Sequence, residues 1–188
     1  MKGNKIMAEL NEKTVENKKI IHLMITNECN RNCPDCCNKQ YNLSEVEIIT
    51  TEELSEAETI FITGGEPFIC SLDPCGVAVA IKEKYPNIKK VMVYSNAFEL
   101  ALYLKTGGKI RGIDGITISI KNKFDKDAFE NVICKNKAIL NLESNWLYTF
   151  PGFENTKCPK SFVKKMRFWQ KEFKPATDSI FRRLYDFE

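Results

Sequence analysis

Histidine is nearly missing from this chain: His22 is the one copy in 188 residues. That scarcity excludes His-ligated zinc and copper centres, a Cys–His nucleophile pair and a Ser–His–Asp triad, because each needs imidazole. Long apolar runs are missing too. The longest, such as residues 77–81, fall far short of the ~18 residues that a membrane helix requires. Residues 1–19 are polar and hold no apolar core of a secretion signal, so the expected location is cytoplasmic. Internal repeats and low-complexity tracts are absent as well. The chain is 43% hydrophobic and 11% aromatic, which excludes collagen-like, mucin-like and disordered classes. Its length suits a single domain over residues 1–188.

Cysteine, by contrast, is in excess. There are eight: Cys29, Cys33, Cys36, Cys37, Cys70, Cys75, Cys134 and Cys158. In an intracellular chain such an excess points to metal or redox chemistry rather than to a disulfide framework. The net charge of +3 says little alone, but it is unevenly spread. Residues 157–188 carry nine Lys/Arg against four Asp/Glu, and the rest of the chain is slightly acidic.

Four β-rich runs alternate with helical patterns, which predicts parallel βα units. Residues 19–26 are apolar on both phases, as in a strand buried on both faces. Residues 58–63, 90–95 and 115–121 are the next three strands, and 138–142 and 146–150 are weaker candidates for a fifth and sixth. Helices are expected over 51–57, 73–85, 97–106 and 125–137. The second has Asp73 as its cap, Pro74 at its first position and Pro86 beyond its end. The last third predicts an amphipathic helix over 161–173, with Phe162, Met166, Trp169 and Phe173 on one stripe, and a short final helix over 177–187. Its Lys164, Lys165, Arg167 and Lys171 suit either a solvated helix face or an anionic partner, nucleic acid included.

In parallel α/β folds, function gathers in the loops after the C-terminal strand ends. The loop after the first strand holds Cys29, Cys33 and Cys36 in the spacing C-x3-C-x2-C. Three thiolates on one short loop can hold three irons of an iron–sulfur cube, and the missing fourth leaves an open coordination position. Zinc prefers four ligands, commonly two C-x2-C pairs, and no second pair exists. Cys37 leaves the third position ambiguous; Cys36 completes the C-x3-C-x2-C spacing. The second strand ends in Gly64-Gly65-Glu66-Pro67, where two glycines allow close backbone approach and a carboxylate follows.

Together these motifs resemble those of the radical S-adenosylmethionine (SAM) superfamily. The resemblance spans about residues 19–121, with 122–188 left to complete the barrel and face the substrate. It implies a partial, truncated (β/α)6 barrel with short C-terminal helices. Cys29, Cys33 and Cys36 would ligate a [4Fe-4S] cluster, and Gly64, Gly65 and Glu66 would line the SAM site, with the amino group of SAM at this turn. Asn96 and Ser119 are further cofactor candidates by the same resemblance; Asn96 equally suits a helix cap. Lys121 suits the SAM carboxylate, an anionic substrate or plain solvent exposure. The sequence departs from the family at Asp35, where an aromatic residue is usual.

The implied activity is an oxidoreductase-type radical reaction. The reduced cluster cleaves SAM to a 5′-deoxyadenosyl radical, which takes a hydrogen from a substrate. A flavodoxin- or ferredoxin-type reductant and an anaerobic or low-oxygen setting follow. The substrate class stays open among small molecules, peptides and a protein glycine. By size, the chain resembles glycyl-radical activating enzymes and 7-carboxy-7-deazaguanine synthases. The reading of another class is a non-catalytic iron–sulfur carrier or sensor, which would need no Gly-Gly-Glu turn. Cys70, Cys75, Cys134 and Cys158 suit either an auxiliary cluster or ordinary packing.

Overall fold

The computed structural model describes residues 20–34, 36–40, 42–171 and 178–187. The polar leader, the start of the first predicted strand at Lys19, the departure at Asp35, the stripe residue Phe173 and the predicted helix start at Thr177 lie outside them.

Seven strands form one all-parallel sheet: β1 (Ile20–Met24), β2 (Thr59–Thr63), β3 (Lys90–Asn96), β4 (Gly115–Ile120), β5 (Asn145–Thr149), β6 (Phe162–Met166) and β7 (Ser179–Arg183). Their order is β6-β5-β4-β3-β2-β1-β7, so β6 and β7 are the edges and the sheet is not closed. Among the described residues, five α-helices join them: α1 (Thr51–Glu56), α2 (Pro74–Lys84), α3 (Ala97–Lys105), α4 (Lys123–Asn131) and α5 (Lys137–Leu140). The architecture is therefore α/β with a parallel sheet, as the alternating sequence pattern implies.

Local chemistry sets the helix starts. Thr50 and Glu53 form a reciprocal capping box on α1. Asp73, Asn96 and Asn122 cap α2, α3 and α4 by accepting from Cys75, Glu99 and Asp125 backbone N–H groups. Apolar strand residues then dock on the helices. Ile21, Leu23, Ile60, Ile62, Val91, Val93, Ile116, Ile118 and Leu147 share one sheet face and one core with Leu100, Ala101 and Phe129 of α3 and α4.

The opposite face is built differently. His22, Phe61, Tyr94, Thr117, Trp146, Tyr148 and Phe181 lie there by register, and none belongs to the helix-backed core. The expectation that the first strand is buried on both faces holds in part: Ile21 and Leu23 are buried on the helix-backed face, while on the other face Met24 is buried and Ile20 and His22 are half-buried. His22 instead stacks between Phe61 and Phe181, at centroid distances of 5.1 and 4.6 Å.

The final third also differs from its helical pattern. Residues 162–166 form strand β6 and 179–183 form strand β7, not the two predicted C-terminal helices. Both are edge strands that satisfy their backbone by pairing with β5 and β1, and this pairing overrides the 3.6-residue periodicity. Phe162 turns inward against Phe129, ring to ring at 5.2 Å, and the Met166 and Trp169 positions of the predicted stripe do not join it in the core. The weak strand candidate at 138–142 is likewise corrected, since Asn136 caps helix α5 there.

Phe129 is fully buried at the α4–β6 junction. Phe129→Ala is expected to cost about 3–5 kcal/mol, read as a lower midpoint in urea denaturation.

Candidate functional site

Backbone pairing brings the two sequence motifs together. Beyond β1, Ile25 N–H donates to Thr63 O at 3.0 Å, and the ladder continues into the loops: Gly65 N–H to Thr26 O at 2.9 Å and Glu66 N–H to Glu28 O at 2.8 Å. This approach demands glycine. A Cβ on Gly64 would lie 2.2 Å from Thr26 O, and one on Gly65 1.8 Å from Glu28 O. Gly64 also has φ +138°, a conformation that side chains resist. Asn38, on the return of the cysteine loop, donates to Gly64 O at 2.8 Å and closes the loop over the turn.

Glu66 is buried and its carboxylate is crowded with donors. Oε1 accepts from Ser95 Oγ at 2.7 Å and Phe68 N at 3.4 Å; Oε2 accepts from Asn96 N at 2.8 Å and Asn96 Nδ2 at 2.6 Å. Four donors fill the four lone-pair positions. Glu66 as placed therefore holds the turn against the end of β3. Burial raises its pKa to about 7, against the pull of the Asn96 and Ser95 hydrogen bonds.

Asn96 fills the helix-cap role. Its Oδ1 caps α3 through Glu99 N at 3.0 Å and accepts from Arg31 at 3.0 Å. Arg31, between the first two loop cysteines, also pairs with the buried Asp125 at 2.6 Å. Neighbouring Asn30 donates to Glu99 at 2.5 Å. Asp125 accepts further from Lys121 N at 3.1 Å. Sequence reasoning missed Arg31, Glu99 and Asp125. The available signal was two acidic residues in the first turns of α3 and α4, at the sheet end where the cysteine loop sits.

The loop thiols are not equivalent. The Cys37 thiol donates to Asn38 Oδ1 at 3.6 Å, and the interaction between the adjacent Cys36 and Cys37 thiols pushes the Cys36 pKa down and that of Cys37 up. Cys29 is exposed; desolvation, then the charges of Glu66, Cys33 and Cys36, push its thiol up. Lys121 reaches over the loop, with Nζ 3.8 Å from Cys33 Sγ. It also sits 5.8 and 5.6 Å from the ring centres of Phe150 and Trp169. Ser119 is half-buried on the open face, in register between Asn96 and Tyr148.

Among the described residues, no group of three or more His, Cys, Asp or Glu side chains is assembled into a metal site. The donor set nevertheless fits an iron–sulfur cluster in kind. Three thiols share one short loop, Cys29 feels the charge of both others, Cys36 is acidified, and an ammonium faces Cys33. The remaining cysteines are dispersed. Cys75 is in the core, Cys70 donates to Ile25 O at 3.6 Å, and Cys134 and Cys158 are half-buried near one another. No helix among the described residues is long and apolar enough to cross a membrane.

Compared with known proteins, the chain matches no family model, no curated protein and no solved structure.

Removing the Asp125 carboxylate strands Arg31 without its ion pair. Asp125→Ala is expected to destabilise by about 3–5 kcal/mol in chemical denaturation. Glu66 also makes a pH prediction. Its folded pKa lies above the unfolded value, so the unfolded chain ionises first and stability falls as pH rises from about 4.5 to about 7, then levels. His22, lowered to about 4 by burial, acts in the opposite sense over much of that range. The measurement is therefore a difference: Glu66→Gln minus wild type should gain relative stability across this window, and a flat difference contradicts the assignment.

Proposed function

We propose that this chain is a radical SAM enzyme, built as a truncated, open form of the family's barrel, in which Cys29, Cys33 and Cys36 hold a [4Fe-4S] cluster. The observation that carries the reading is the junction of the two motifs. The C-x3-C-x2-C loop and the Gly-Gly-Glu turn are hydrogen-bonded to each other at the C-terminal edge of a parallel sheet, where such folds place their ligands. An electron-carrying iron–sulfur protein needs the cysteines but has no use for the second motif.

The chemistry that such a cluster supplies when bound is one-electron reduction of the SAM sulfonium, releasing methionine and a 5′-deoxyadenosyl radical that abstracts hydrogen from substrate. The chain's own residues position and insulate. Gly64 and Gly65 bring bare backbone to the cofactor side of the turn. Glu66 sets the spacing between that turn and β3 through Ser95 and Asn96. Arg31 and Asn30 anchor the cysteine loop to α3 and α4, so the loop's position is fixed from both flanks. Lys121 offers a cation to Cys33 sulfur, and it would suit the carboxylate of SAM. Asn96 and Ser119 line the adjoining strand ends. The reductant in this reading is a flavodoxin- or ferredoxin-type protein, and the setting is anaerobic and cytoplasmic.

Anaerobic reconstitution tests the reading. The full chain should take up about four irons and, given SAM and dithionite, release 5′-deoxyadenosine. Cys29→Ala, Cys33→Ala and Cys36→Ala should each abolish both properties, while Cys37→Ala should retain the iron. A fully loaded cluster that yields no 5′-deoxyadenosine would sink the catalytic claim.

A further inference from the structure

A surface helix needs one apolar stripe to dock on its sheet. Helix α3 has two. Leu100 and Leu104 pack into the core, while Phe98 and Leu102 face outward. Helix α4 repeats the arrangement, with Phe129 in the core and Phe124 outside. Between the two outer stripes runs a groove of about 320 Å³, with Ala101 and Ala128 at mid-length. Leu102 is 47% exposed and Phe124 70%, the highest value among the described large apolar side chains. An apolar groove of this kind, open to water, marks a contact surface.

The groove is polarised along its length. Both helices link parallel strands and so run the same way, which sets the Phe98 and Phe124 rings together at one end, edge to face at 6.5 Å. Lys105 and Asn131 lie at the other end, two turns or about 10 Å further on. The alanines are midway. A twofold axis lying in this face, across the groove at the alanines, turns the ring end of one copy onto the far end of the other. The helices then meet antiparallel, the small residues allow close approach, and Phe124 enters the groove beside the partner's Asn131. Knob and hole are on one face, as an isologous contact requires. The rim charges match as well. Lys105 and Asp127 are exposed, line the groove, and have no ion-pair partner among the described residues. A small apolar ligand leaves both unmatched, and a surface of one sign opposes one of them. A copy of the same face supplies one of each, with Lys105 over the ring end and within a side chain's length of the partner's Asp127.

We propose that the α3–α4 groove is the interface of a twofold homodimer, with a second copy of this chain as its occupant. Two nine-residue helices per copy make a contact at the small end of specific interfaces, so association is weak and depends on concentration. The pairing needs neither iron nor SAM and holds whatever reaction the chain performs. It does adjoin the cysteine loop. The Arg31 guanidinium carbon lies 5.9 Å from the Phe98 ring centre, and Phe98 N–H donates to Asp125 at 3.4 Å. A second copy therefore takes water from the ring beside the loop's own anchor.

Sedimentation velocity of the full chain, from about 1 to about 200 μM, tests the pairing. The dimer fraction should rise through this range. Leu102→Glu and Phe124→Ser should each raise the dissociation constant by about tenfold or more, with unchanged circular dichroism. Lys105→Asp and Asp127→Lys make a sharper pair. Each alone sets like charges against like and should be largely monomeric. Their equimolar mixture brings an acidic face to a basic one and should form a heterodimer, identified by its mass in native mass spectrometry. A chain that is monomeric at every concentration overturns the proposal. So does a dimer indifferent to Leu102→Glu and Phe124→Ser, which is joined elsewhere, or a mixture no more dimeric than its components. Saturable binding of an apolar dye by a chain that stays monomeric, lost in Leu102→Glu, gives the groove another occupant and overturns it equally.

Discussion

The site depends on a contact between two backbones. Gly64 and Gly65 lie so close to Thr26–Glu28 that no side chain fits between them. The two short hydrogen bonds at that point extend the β1–β2 ladder past the sheet. Most parallel strands diverge into separate loops at their C-terminal ends. Here the loops stay paired for three further residues, and this carries Cys29 to the glycine turn. Everything beyond, from the loop's anchoring to the alignment of β3, is arranged around that pairing.

A buried polar network extends the constraint sideways. Glu66 grips β3, Asn96 caps α3 and accepts from Arg31, and Arg31 reaches Asp125 at the start of α4. Three consecutive βα units are thereby fastened to one loop by charge-assisted hydrogen bonds, which are short and directional. Burying a carboxylate and a guanidinium is costly unless each is fully paired. The fully buried Asp125 carboxylate accepts from Arg31, Phe98 N and Lys121 N, so it meets that condition and ties the loop to α3 and α4.

Much of this was legible in the sequence. Strands β1 to β5 and helices α1 to α4 follow from apolar runs and caps such as Asp73 and Asn96, which act through neighbours a few residues away. The cysteine spacing and Gly-Gly-Glu turn were legible because each motif is contiguous. The rest was not, for two physical reasons. Residues 162–166 carry a helical stripe, yet they sit at a sheet edge where β5 offers a row of free backbone groups, and long-range pairing outweighs local periodicity. The donors that hold Glu66, Ser95 and Asn96, come from a strand about 30 residues away, and no contiguous pattern announces them. Arg31 and Asp125 are 94 residues apart, and no local pattern links them.

The sheet order has a consequence in time. The cysteine loop is pinned where it leaves β1, through Leu184 N to Met24 O and Tyr185 Oη to Ile25 O, and where it returns, through Ile49 N to Arg183 O. All three clamps come from the last strand and the residues just after it. During synthesis β1 emerges well before β7 and keeps an unpaired edge until β7 has left the ribosome. The loop can therefore adopt its final shape only after β7 has been made. Under the proposed function, cluster assembly on its thiols would follow β7, and three cysteines would have to stay reduced through the interval before it.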